Sequence, residues 1–137
     1  MRIDNTFGSI DIAVSGMRAQ NTQMELISSN IANARTVDNG QGQPYRRLQA
    51  VFCTENEDED GVAGVGIESI TQDMSALDRV FDPGNPKADA AGYITMPNVQ
   101  LPIEMMNLSI ATRAYQANAA ILRRYQKMVE TTLELLR

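Results

Sequence analysis

The chain has no histidine, and its one cysteine, Cys53, has no second thiol to pair with. A disulfide framework and a multi-cysteine metal site are thereby excluded, and zinc loses its usual ligands. Without histidine, neither a serine nor Cys53 has the ordinary general base beside it. The clustered carboxylates fall in a stretch that reads as a solvated turn, without the burial that would separate their pKa values. Tryptophan is absent and aromatics are 5% of the chain, so no large aromatic core can form. No apolar run approaches the ~18 residues of a membrane-spanning helix. The opening Met1-Arg2-Ile3-Asp4-Asn5-Thr6 shows neither a basic n-region followed by an apolar h-region nor a small-residue cleavage site, so Sec export is unsupported. Basic clusters stop at the pairs Arg46-Arg47 and Arg123-Arg124, and the net charge is -5. A sequence-independent phosphate-binding surface is unsupported, and nucleic acid is a poor partner.

The acidity is local. Glu55-Asn56-Glu57-Asp58-Glu59-Asp60 holds five of the acids, which leaves the remainder balanced at 12 against 12. Asn56, Asp58, Asp60 and Gly61 imitate the first ligands of a calcium loop, but the twelfth position is Ile67 rather than a bidentate glutamate. A solvated turn that keeps a strand edge from aggregating is the better reading. Gly61, Gly64 and Gly66 open no helix and make no dinucleotide fingerprint. No cofactor and no small-molecule substrate is expected.

What the chain does have is two long heptad patterns. Ile10, Met17, Met24 and Ile31 recur every seven residues, with Ala13, Ile27 and Ala34 three residues on and only Gln20 breaking that row. The spacing predicts a helix of roughly 25 residues, capped by Thr6 or Ser9, with a seam that asks for another helix. Leu101, Leu108, Tyr115, Leu122, Val129 and Leu136 form a longer series, flanked four residues on by Met105, Ala119 and Leu133. It predicts a second helix over about 101–136, with Pro102 in its first turn and Glu104 near the positive end of its dipole. The methionines at these spacings read as core filling.

Between the helices the period changes to two. Tyr45 to Cys53 and Val65 to Ile70 read as the strands of a β-hairpin, with Cys53 a small strand residue. Asp82-Pro83-Gly84-Asn85-Pro86 and Met96-Pro97-Asn98 predict an irregular segment. The fold class is mainly α with a small β arm, in which long N- and C-terminal helices form a coiled-coil-like layer. Three segments follow: an N-terminal helix over 1–35, an arm over 36–97 and a C-terminal helix over 98–137, with the first and last making one helical domain.

Two helices packed only on each other, with a small hairpin, leave much of their surface in water. Yet between residues 8 and 35 the ionisable side chains are only Asp11, Arg18, Glu25 and Arg35, while Gln20, Asn21, Thr22, Gln23, Ser28, Ser29, Asn30 and Asn33 crowd the other faces. Neutral amides and hydroxyls can be buried at far lower cost than unpaired charges. These faces predict helices covered on several sides by other copies or homologous chains.

Ser15-Gly16-Met17-Arg18-Ala19, followed by Ser29-Asn30-Ile31-Ala32-Asn33-Ala34, resembles the N-terminal signature of flagellar rod, hook and hook-associated axial proteins. Pro44-Tyr45-Arg46-Arg47, Gly92-Tyr93-Ile94-Thr95-Met96-Pro97-Asn98-Val99 and Arg113-Ala114-Tyr115-Gln116-Ala117-Asn118 resemble the short proximal-rod branch of that family. Asn85 and Arg123-Arg124-Tyr125 depart from its pattern. The resemblance implies a non-enzymatic structural subunit, exported without a cleaved signal through the flagellar type III apparatus into a rod spanning the periplasm. It implies as partners copies of itself, other rod proteins, the export apparatus and surrounding basal-body rings, toward which the β arm would face. The other reading is a soluble helical adaptor or chaperone of a secretion system. The residues expected at the assembly interface are Ile10, Met17, Met24, Ile27, Asn30, Ile31, Asn33, Leu101, Met105, Leu108, Tyr115, Asn118, Leu122, Val129 and Leu136.

Overall fold

The computed structural model describes residues 4–56 and 63–136. Two helices, α1 (Asp4–Ala32) and α2 (Leu101–Leu135), bracket two antiparallel hairpins, β1 (Leu48–Asn56) with β2 (Ala63–Gln72) and β3 (Arg79–Phe81) with β4 (Tyr93–Thr95). The architecture is mainly helical with a small β part, as the two periodicities predict. α1 starts six residues before Ile10, so Thr6 and Ser9 lie inside the helix rather than at its cap. Gly8 is buried, and one glycine costs a helix only about 1 kcal/mol, too little to stop it. α2 starts where Pro102 predicts, with Gln100 extended before it.

The helices run antiparallel. Asn30 meets Glu104, Met24 Sδ accepts from Thr112 Oγ1, and Gly16 lies against Asn118. A Cβ on Gly16 would stand 2.8 Å from Asn118 Nδ2, so the glycine is what lets the helices approach there. The expected α1 row Ala13, Ile27 and Ala34 is buried, and Ile10, Met17, Met24 and Ile31 beside it are half-buried. On α2 the second row is displaced by one residue from the expectation. Glu104 and Ala111 are buried and Asn118 and Tyr125 half-buried, three residues after the first four members of the Leu101 series rather than four. A heptad alternates steps of three and four, and the exposed Met105 and Leu133 belong to the other side of the series.

The β1–β2 ladder runs in register from Leu48↔Gln72 to Asn56↔Ala63, with an irregularity where Val51 faces Ser69 and Phe52 faces Ile67. Glu68 is the extra residue. Both strands pack on α1 and, among the described residues, neither packs on α2. α1 is therefore a middle layer between α2 and the arm. Of the acidic turn, residues 57–60 lie outside the described residues.

The segment expected to be irregular contains the second hairpin. Its three-residue strands hold together through Phe81 and Tyr93, edge to face at 5.3 Å, and Arg79 over the Tyr93 ring at 5.1 Å. Gly92, at φ 80°, makes the turn possible, and a Cβ there would stand 2.9 Å from Phe81 Cε2. Strands this short leave no alternation to read.

Candidate functional site

Among the described residues the most buried polar side chain is Asn30, 0% exposed at the end of α1. Its amide is fully used. Nδ2 donates to the Leu48 carbonyl at 2.8 Å and to Glu104 Oε2 at 3.1 Å, while Oδ1 accepts from Leu48 N at 2.8 Å and the Tyr45 hydroxyl at 2.9 Å. An amide has two donors and two acceptor lone pairs, so nothing is left over. Glu104, 1% exposed on the first turn of α2, accepts from Arg47 Nε at 2.7 Å through its other oxygen. A charge-assisted bond and an amide donor satisfy a carboxylate that would otherwise be costly to bury.

Around this pair the chain crosses itself. Arg47 N donates to Asn98 Oδ1 at 2.9 Å, and Asn98 Nδ2 donates to the Asp73 carbonyl and to Ser75 Oγ. Arg46 reaches the carbonyls of Asp73 and Ser75, both at 3.2 Å. A hydrogen bond from the Ser75 backbone N–H holds the Asp73 carboxyl below the usual range. The knot thus ties the end of α1, both feet of the arm and the start of α2. Asn33 caps the region locally, donating to the Ser29 carbonyl and accepting from Thr36 Oγ1.

Several residues expected at the assembly interface already have a role within the chain. Asn30 and Ile27 are buried within the chain, and Met24, Leu108, Tyr115, Asn118 and Leu122 lie on the sides where α1 and α2 face each other. The intrachain seam uses them. Leu101, Met105, Val129 and Leu136 are exposed, and Ile10, Met17, Ile31 and Asn33 are half-covered. Sequence reasoning missed Tyr45 as a partner of Asn30 and Arg47 as the partner of Glu104, to which it gave a dipole role where an ion pair stands.

A second feature also escaped the heptad reading. Ile103, Met106, Ile110, Ile121, Met128 and Leu135 are exposed apolar side chains on α2. With Ala117 they follow one another at three-, four- and seven-residue steps, on the helix side away from Ala111. This is a second apolar stripe that none of the described residues covers, bordered by Arg113 and Arg124.

A family described as "Flagella basal body rod protein" matches residues 10–37, and one described as "Flagellar basal body rod FlgEFG protein C-terminal" matches residues 90–135. The flagellar basal-body rod protein FlgC of Salmonella typhimurium is 41% identical over 125 residues, which covers 91% of this chain and 93% of that one. FlgC of Agrobacterium fabrum is 39% identical over 127 residues, covering 92% and 91%. FlgC of Borreliella burgdorferi is 33% identical over 147 residues, covering 95% and 97%. The α1–α2 seam falls largely within the matched ends, and with nearly the whole length shared the chain belongs to the FlgC family of flagellar basal-body rod proteins.

Proposed function

We propose that the chain is a structural subunit of the proximal rod, polymerising with copies of itself and other rod proteins into the drive-shaft tube across the periplasm. The carrying observation is the unpartnered stripe on α2. It extends from Ile103 to Leu135, roughly 48 Å at 1.5 Å per residue, and leaves large apolar side chains in water along its length. Covering one such side chain contributes about 1.5–3 kcal/mol, so a repeating contact along the stripe would hold neighbours firmly. Leu101, Met105, Val129 and Leu136 stay in the proposed interface beside it. Family membership supports export through the flagellar type III apparatus without a cleaved signal, and contacts to surrounding rings. The lack of histidine and the buried, fully bonded state of Glu104 support a purely structural role. Detergent-extracted basal bodies should retain the chain, and a cryomicroscopy map should trace α2 against neighbouring helices. Recovery only in the soluble cytoplasmic fraction of motile cells would overturn the reading.

A further inference from the structure

The arm is fixed to α1 at two points of very different quality. At its root is the knot, where Asn30 and Glu104 are buried and a charged pair closes the contact. Near its tip the Val65 N–H donates to Ser15 Oγ at 3.1 Å, in an exposed position, and Ser15 Oγ also donates to the Ile12 carbonyl. Gly64 permits this approach, since a Cβ there would lie 2.9 Å from Ser15 Oγ. Beside the tip runs an open cleft lined by Asp11, Ile12, Val14, Arg18 and Glu55, so the packing is loose.

The two points are evenly matched in reach. From Asn30 back to Ser15 is ~22 Å of helix at 1.5 Å per residue, and from Leu48 to Thr54, the partner of Val65, is ~20 Å of strand at 3.3 Å per residue. The ribbon therefore lies along α1. Between its ends α1 carries Ala19, Thr22 and Leu26 on the row that joins Ser15 to Asn30, and Ala19 and Leu26 are buried.

We infer that the β1–β2 ribbon is a hinged strap, pivoting at the Asn30–Arg47–Glu104 knot and lightly latched at Ser15. Its opening uncovers the uncharged row Ser15, Ala19, Thr22 and Leu26 while α1 and α2 stay paired. An exposed neutral hydrogen bond is easily exchanged for water, whereas the root cannot open without leaving a buried carboxylate alone. Who uses the uncovered row rests on the rod-subunit reading, and the opening itself does not.

The test is amide exchange on the purified full chain. The Val65 amide should exchange at least roughly tenfold faster than the Leu48 amide, with α1 amides protected throughout. Equal exchange of Val65 and Leu48 would overturn the hinge. A lock checks the uncovering, because a Cβ on Gly64 would stand 3.2 Å from Ser15 Cβ, close to disulfide spacing. In a chain carrying Cys53→Ser, Ser15→Cys and Gly64→Cys, hydroxyl-radical labelling of Leu26 should be several-fold slower oxidised than reduced. Equal labelling in the two states would show that the strap does not cover this row. Failure of either measurement leaves basal-body incorporation of the native chain as a separate question.

Discussion

Asn30 shows how a single neutral side chain can be worth more to this fold than a charge. Its four bonds close in the one place where α1, the arm and α2 meet. Removing its charged neighbour is accordingly severe. Glu104→Ala should lower the free energy of unfolding by about 2–3 kcal/mol, since it leaves the Arg47 Nε–H and one Asn30 donor without a partner, while Asp73 and Gln49 still reach the partly exposed guanidinium. Urea melts followed by circular dichroism read the change, and a loss under about 1 kcal/mol would mean the pair is solvated in solution. Asp38 gives a pH signature. The Lys87 ammonium bonded to it, with the N–H groups of Gly42 and Gly40, lowers its pKa from 3.8 to about 2. A depressed acid favours the fold only when ionised, so this contribution is complete above about pH 4 and lost as pH falls toward 2. Asp38→Asn should remove that part of the acid dependence, and NMR titration of the Asp38 carboxyl should give a midpoint well below the ordinary one.

At the scale of elements, the long ones were legible and the short ones were not. α2 and the β1–β2 hairpin announce themselves through uninterrupted heptads and a change to period two, although β1 begins at Leu48, three residues after the expected Tyr45. β3 and β4 have three residues each, and their pairing depends on Phe81, Tyr93 and the left-handed Gly92, which no periodicity records. The polar face of α1 is legible as suited to cover, and part of that cover comes from the arm of the same chain. Composition reports that Ser15, Ser29 and Asn30 are compatible with burial, and it cannot say whether the burying surface is another chain or a later segment of this one. The dependence on Gly92 is testable. Gly92→Ala places a methyl into Phe81 and a disfavoured φ into the turn, so the second hairpin should loosen by about 1–2 kcal/mol. The Phe81–Tyr93 NOEs should weaken while the β1–β2 amides keep their protection.

The molecule as a whole is a three-layer stack whose outer helix is only half used. Sequence periodicity alone would place Leu108 and Leu122 at the joints between subunits, but both are half-buried on the side of α2 that faces α1. An aspartate at either position should therefore destabilise the lone chain by several kcal/mol, and a failed rod would then report misfolding rather than a lost joint. Ile110 and Ile121 separate the two effects. They are 59% and 48% exposed on the opposite stripe, so Ile110→Asp and Ile121→Asp should change the stability of the purified chain by no more than about 0.5 kcal/mol. Covered by a neighbouring helix, the same carboxylate would be desolvated without a partner at every repeat of the contact. Both variants should be secreted normally yet fail to enter basal bodies, and swimming should stop, while Glu134→Lys at an exposed position near the end of α2 should leave all three unchanged. The decisive comparison sets the melting of each purified variant against its recovery in basal bodies. If Ile110→Asp and Ile121→Asp build normal rods, the outer stripe of α2 is not where subunits meet.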